Sequence, residues 1–160
     1  MRYFPCEDKM WNEEVKSILG YCLGYGVDVG CGDRTLFPHL ITVDNHSDEA
    51  EFKAEADDLP FKEGEFDFVY AAHCIEHLKD PLRAVNEWLR VVKKGGHVII
   101  ICPDKRFTPS KGMQNVDPQH KWEFQYEELA EICRLTEGYQ VNKDVWALPN
   151  YSFKIILRKV

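Results

Sequence analysis

Two glycines and two acids carry the first chemical signal in this sequence. An apolar run containing Asp28 (Val27-Asp28-Val29) leads into Gly30-Cys31-Gly32-Asp33. Glycines after a buried strand let the backbone turn sharply and approach a ligand closely. A second apolar run, Leu40 to Val43, ends in Asp44, fourteen positions after Gly30. A carboxylate there can accept two hydrogen bonds from a ribose diol, or it can simply cap the strand end. A dinucleotide fingerprint would need GxGxxG and an acid roughly 20 residues on. Here Thr35 takes the third glycine position and Asp44 comes early. The third glycine lets helix and strand pack closely beside a pyrophosphate, so its loss favours a nucleoside ligand without phosphates.

Three histidines, His73, His77 and His120, are the candidates for moving a proton. His73 follows the apolar run Phe66 to Ala72, and His120 lies near Trp122 and Phe124. The spacing His73-Cys74-x-x-His77 resembles a metal motif but has no further ligands nearby in sequence, so no metal is expected. Trp88 falls among the apolar positions of a helical pattern and reads as core.

These residues need a frame that alternates buried strands with amphipathic crossovers. A helix is predicted over Trp11 to Leu23, broken by Gly24 and Gly26. Strands follow at Val27 to Val29, Leu40 to Val43, Phe52 to Ala54 and Phe66 to Ala72. Asp80 suits a helix N-cap and Pro81 the first helical position, opening a helix through Val92. Gly95-Gly96 ends that crossover before a strand at His97 to Cys102. Pro103 to about Phe124 reads as a long irregular segment, which in a small domain is usually functional. A helix at Tyr126 to Thr136 precedes strands at Gln140 to Ala147 and Ser152 to Arg158. Their four-residue connection makes the pair antiparallel. The expected fold is an α/β, Rossmann-like, doubly wound, mostly parallel seven-stranded sheet with a C-terminal antiparallel hairpin. It forms a single domain over residues 1–160.

Composition narrows the function. The chain has 160 residues, enough to bury a real core, and its 44% hydrophobic and 29% charged content is that of a globular protein. A net charge of −7 weighs against nucleic acid as partner. Lys105, Arg106 and Lys111 are the one hint of a basic patch. No apolar run reaches the roughly 18 residues of a membrane span, and no secretion signal is visible, so a cytoplasmic location is expected. The six scattered cysteines contain no CxxC pair and are expected to be reduced.

Five segments, in this order and spacing, resemble the motifs of the class I S-adenosylmethionine (SAM)-dependent methyltransferases. They are Val27 to Gly32, Val43-Asp44, Ala56 to Phe61, Phe66 to Val69 with His73 to Leu78, and Arg90 to Ile100. The resemblance implies SAM as cofactor and S-adenosylhomocysteine as product. It implies that the backbone of Gly30, Cys31 and Gly32 packs against the methionine and ribose, and that Asp28 helps hold the methionine ammonium. Asp44 would take the ribose hydroxyls with Asn45 alongside. Glu55, Ala56 and Asp57 would meet the adenine, and Ala72 or His73 would face the methionine and the transferring methyl. Arg34 stands where many members have glycine, and Glu55 is one methylene longer than the usual aspartate.

SAM carries its own leaving group, so the protein's task is to align a nucleophile and exclude water. A base is needed only for a nucleophile that must lose a proton, and His73 and His120 are the candidates. No Asn-Pro-Pro-Tyr run marks an amino-methylating DNA methyltransferase, and Cys102-Pro103 is not the Pro-Cys order of the cytosine C5 methyltransferases. The segment Pro103 to Phe124 mixes apolar walls (Phe107, Met113, Trp122, Phe124) with polar anchors, as an acceptor pocket would. A small metabolite or sugar is the expected acceptor, with a protein or RNA acceptor second. A non-catalytic SAM-binding partner or sensor is the competing class.

Overall fold

The computed structural model describes residues 9–108, 118–141 and 145–160. In chain order the elements are α1 (Lys9–Lys16), β1 (Gly26–Val29), β2 (Ile41–Val43), β3 (Phe66–Ala72) and α2 (Pro81–Val91). They continue with β4 (Val92–Pro103), α3 (Tyr126–Arg134), β5 (Tyr139–Val141), β6 (Trp146–Leu148) and β7 (Ser152–Lys159). Short 3₁₀ turns lie at Leu19–Tyr21 and Ile75–His77. The seven-stranded sheet runs β2-β1-β3-β4-β7-β5, with β6 also paired to β7. The pairs β1–β2, β1–β3 and β3–β4 are parallel, and every pair made by β7 is antiparallel.

Strand alternation divides the core into two layers. Val69 and Ala71, Val98 and Ile100, and Phe153, Ile155 and Leu157 face α2 and α3, meeting Val85, Trp88, Leu89 and Leu129. The other face carries Phe68, Tyr70, Ile99, Ile101 and Ile156, packed with Ile18, Leu36 and Leu40. Trp88 is fully buried, and its indole N–H donates to the Ala56 carbonyl at 2.8 Å. The expected cap of α2 is present: Asp80 Oδ1 accepts the Arg83 N–H at 3.0 Å, with Pro81 at the first position.

The seven strands differ in membership from those predicted. Phe52 to Ala54 is not a strand; only an isolated bridge joins Val43 to Phe52. Beyond it the chain turns, and Phe52 packs edge-on against Phe61. The predicted strand Gln140 to Ala147 is instead two short ones, β5 and β6, both paired to β7. Gly95-Gly96 does not end the α2 crossover. The helix passes directly into β4 at Val92, and the two glycines lie within that strand, where the pairing with β3 shifts register. The first helix is shorter than Trp11 to Leu23, giving way to the 3₁₀ turn at Leu19.

Candidate functional site

The turn after β1 is built from two left-handed glycines with different reasons to be glycine. Gly30 has φ +73°, and a Cβ there would lie 2.5 Å from Cys74 Sγ. Gly32 has φ +54°, but a Cβ there would meet no atom within 4 Å. The first is needed for packing as well as conformation; the second leaves open space. Asp44, at the end of β2, fixes this turn from the side. Its Oδ2 accepts the Gly32 N–H at 2.9 Å, and its Oδ1 accepts those of His46 and Ser47 at 2.7 and 2.8 Å. Partial burial pushes the Asp44 carboxyl up, but the three N–H groups more than offset that and hold its pKa below the ordinary value. Two acceptor oxygens offer about four lone-pair directions, so roughly one remains for a ligand.

A cleft of about 380 Å³ opens at the carboxyl edge of the sheet over this turn. It is lined by Asp28, Gly30, Cys31, Gly32, Ala72 and His73, six of the residues predicted from sequence. Asp28 is buried, and its Oδ2 accepts the Leu36 N–H at 2.9 Å. Burial, assisted by the charge of Asp44 and opposed by hydrogen bonds from Leu36 and Thr35, pushes the Asp28 carboxyl up to about 7. Burial likewise raises the Cys31 thiol to about 12, so it is protonated and uncharged at neutral pH.

His73 occupies a strained position. Its φ of +52° is uncommon for a residue with a side chain, and its N–H continues the β3–β4 ladder to the Ile101 carbonyl at 2.9 Å. Its Nε2 lies 3.2 Å from Glu14 Oε2, and its Nδ1 lies 3.8 Å from Glu76 Oε1. Burial disfavours the imidazolium, but the Glu14 hydrogen bond and the charges of Glu14 and Glu76 outweigh burial, so its pKa is raised. The other Glu14 oxygen accepts the Ser152 hydroxyl.

The remaining predicted residues extend from the glycine turn along the neighbouring strand end. Asn45 Nδ2 donates to Glu55 Oε1 at 2.5 Å, so these two form one polar unit. Asp57 Oδ2 lies 3.6 Å from Arg83 Nε, and the Ala56 carbonyl is held by Trp88. His120 does not line the cleft; its ring stands 4.7 Å from that of His77. Sequence reasoning missed Glu14, Tyr70 and Tyr151 as cleft residues. A single acid on the first helix and a tyrosine in a turn carry no local signal of this role.

No described residue of Pro103 to Phe124 lines the cleft. Lys121 and Trp122 N–H groups donate to the Glu76 carbonyl at 2.8 and 3.0 Å, and the Trp122 indole donates to the Leu78 carbonyl at 2.9 Å. Phe124 is buried in the core, while Phe107 and Trp122 are exposed. Met113, Lys111 and Asp117 lie outside the described residues. Arg106 and Lys105 form no free basic patch: Arg106 pairs with Asp104, with Nη2 to Oδ2 at 2.6 Å, and Lys105 with Glu128 at 2.5 Å.

Residues 36–100 match a family model described as a methyltransferase domain. The chain has the Rossmann-like methyltransferase fold. A possible histamine N-methyltransferase from Thermotoga maritima superimposes on this domain with a TM-score of 0.69. It has 22% identity, over 94% of this chain and 89% of that one. A Burkholderia thailandensis 1,6-didemethyltoxoflavin-N1-methyltransferase, solved with its substrate and S-adenosylhomocysteine, gives 0.72 at 16% identity, over 96% and 80%. In sequence, the chain is 38% identical over 68 residues to ajmaline N-methyltransferase of Rauvolfia serpentina. That match is 42% of this chain and 23% of the relative. The chain spans less than two thirds of the length of the first curated relatives it matches.

Proposed function

We propose that this domain transfers the methyl group of SAM to a small-molecule acceptor, a metabolite or sugar. The observation that carries the reading is the open glycine turn set between two acids of opposite character. Asp44 is held ionised by backbone N–H groups, and Asp28 is buried with its pKa raised to about 7. The space beside Gly32 accommodates a ligand backbone-close, and a buried carboxyl beneath it suits a cationic amine. These features fit SAM.

When bound, SAM supplies a methyl group on a sulfonium leaving group. Asp28 would hold the methionine ammonium, and the Gly30-Cys31-Gly32 backbone would line the cofactor. Asp44 would accept one ribose hydroxyl through its remaining lone pair, with Asn45 alongside, and Glu55, which Asn45 bonds, would meet the adenine. Ala56 and Asp57 would face the adenine. Ala72 and His73 close the methionine end of the cleft. His73 is the base candidate if the acceptor must lose a proton. Its bond to Glu14 orients the ring and favours the protonated form, so it accepts a proton readily. His120, outside the cleft, would act from the acceptor side only. The small-molecule acceptor is supported by the toxoflavin-precursor enzyme, which shares the fold and binds such a substrate. No described helix is long and apolar enough to cross a membrane.

Calorimetry with SAM, S-adenosylhomocysteine, NAD and ATP tests the cofactor. The expected result is micromolar binding of the first two and none of the others; equal or tighter NAD binding overturns the reading. Methyl transfer from labelled SAM across a panel of amines, phenols and sugars then separates an enzyme from a non-catalytic SAM-binding protein.

A further inference from the structure

The turn after β3 and the connection after β4 bring together three side chains from two distant segments. Glu76 and His77 lie on the 3₁₀ turn that follows β3. His120 arrives from the long connection after β4. Glu76, His77 and His120 each offer one ligand atom, and these atoms all lie within 4.8 Å of one another. We infer that Glu76, His77 and His120 form a binding site for a divalent first-row transition ion of the Zn²⁺ class. It lies next to the cleft but is separate from the groups assigned to SAM.

Four observations carry the inference. The donor set is two imidazoles and one carboxylate, which is a common three-ligand set for zinc with an open fourth position. It is also the facial set that suits other divalent first-row ions. The Glu76 carboxylate is almost fully buried, at 2% exposure, while both histidines are half-buried, so an ion there would be reachable from one side. The histidine that completes the set is fixed by backbone rather than by chance contact. The N–H groups of Lys121 and Trp122 grip the Glu76 carbonyl, and the Trp122 indole grips that of Leu78. Finally, Glu76 is flanked from behind by His73, whose Nδ1 lies 3.8 Å from its Oε1. Outer contacts of this kind commonly aim a metal-binding carboxylate.

Tetrahedral zinc with bonds of about 2.1 Å places its ligand atoms about 3.4 Å apart. The present spread therefore closes with side-chain rotations of about 1 Å. An ion held there would lie on the acceptor side of His73. Its open position would accept a neutral or anionic oxygen or nitrogen of an acceptor, or water. This goes beyond the SAM reading and does not rest on it.

The test uses the whole protein, stripped with chelator and titrated with Zn²⁺, and with Co²⁺ as a spectroscopic probe. One ion per chain is expected, with Co²⁺ developing visible ligand-field bands. His120→Ala and His77→Ala should each weaken Zn²⁺ by at least tenfold, while His39→Ala, an exposed histidine elsewhere, should leave it unchanged. His120 sits on the surface connection, so His120→Ala keeps the test valid if His77→Ala fails to fold. Absence of one-to-one binding, or binding that His120→Ala leaves intact, overturns the site. S-adenosylhomocysteine affinity of the stripped protein is measured alongside. Its loss counts against the cofactor reading and not against the metal site.

Discussion

The two sides of the cleft are built on different principles. The glycine side is local: Gly32 and Asp44, which lock the turn, are 12 positions apart and follow adjoining strands. The histidine side is assembled from distant segments. His73 meets Glu14, 59 positions away, and Glu14 in turn reaches Ser152. On the first side backbone geometry makes the site and side chains adjust it. On the second the side chains hold one another, and the backbone at His73 is strained to present them.

Loop deletion gives the largest expected contrast between the two sides. Shortening Thr108 to Val116 to a Gly-Ser link should leave SAM affinity within a few-fold. Turnover with an acceptor found in the panel should fall by about 10²-fold or more, because positioning would be lost. Parental turnover in that variant would place the acceptor surface elsewhere, against Glu14 and Tyr151, which line the cleft already.

On the glycine side, Asp44→Ala should weaken SAM by at least tenfold with the fold retained. A lost charge-assisted hydrogen bond is worth about 1.5–3 kcal/mol, and the variant also frees the Gly32 N–H. Unchanged calorimetric affinity in a folded variant would reduce Asp44 to a strand cap. The two glycines should separate in urea unfolding. Gly30→Ala meets both a left-handed φ and the Cys74 side chain and should cost about 2–4 kcal/mol. Gly32→Ala meets only the φ and should cost about 1–2 kcal/mol. Equal losses would mean that the Cys74 contact is relieved without cost.

The smallest effect is a proton. The Asp28 carboxyl is pushed up to about 7 in the folded protein. The folded state therefore holds a proton that the unfolded state loses near pH 4. The stability this contributes is full below about pH 4 and is lost as pH rises through about 7. Asp28→Asn should flatten that fall in denaturation measured from pH 4 to 7.5. If Asp28 holds the methionine ammonium, SAM binding at pH 6 should also release up to one proton. Calorimetry in buffers of different ionisation enthalpy reads this directly, and no release would remove Asp28 from the ammonium.

What was legible in the sequence follows the same division. Val27 to Val29, Phe66 to Ala72, the Asp80-Pro81 cap and the glycine turn are set by neighbours in the chain, and their residue types announce them. β3, β4 and β7 were likewise readable because strands buried on both faces stand out as near-continuous apolar runs. Phe52 to Ala54 misled because apolar residues near a strand edge can satisfy one bridge and then turn to pack on Phe61. Gly95-Gly96 misled because glycine within a strand reads like glycine after a helix. Glu14, Tyr151 and the meeting of His120 with His77 were invisible, since nothing in local spacing says which distant segments the sheet brings to one edge.

The clasp between Glu14 and Ser152 also bears on how the molecule comes together in time. It closes a loop of 138 positions, against 12 for the Gly32–Asp44 bond. Loop-closure entropy grows as (3/2)RT ln n, so the long closure costs about 2 kcal/mol more. Contacts of such separation also slow folding. The glycine pocket therefore matures early along the folding route, and the Glu14–His73 wall is among the last contacts made. A nascent or partly opened chain would thus hold the glycine turn before the wall of Glu14 and His73 is in place.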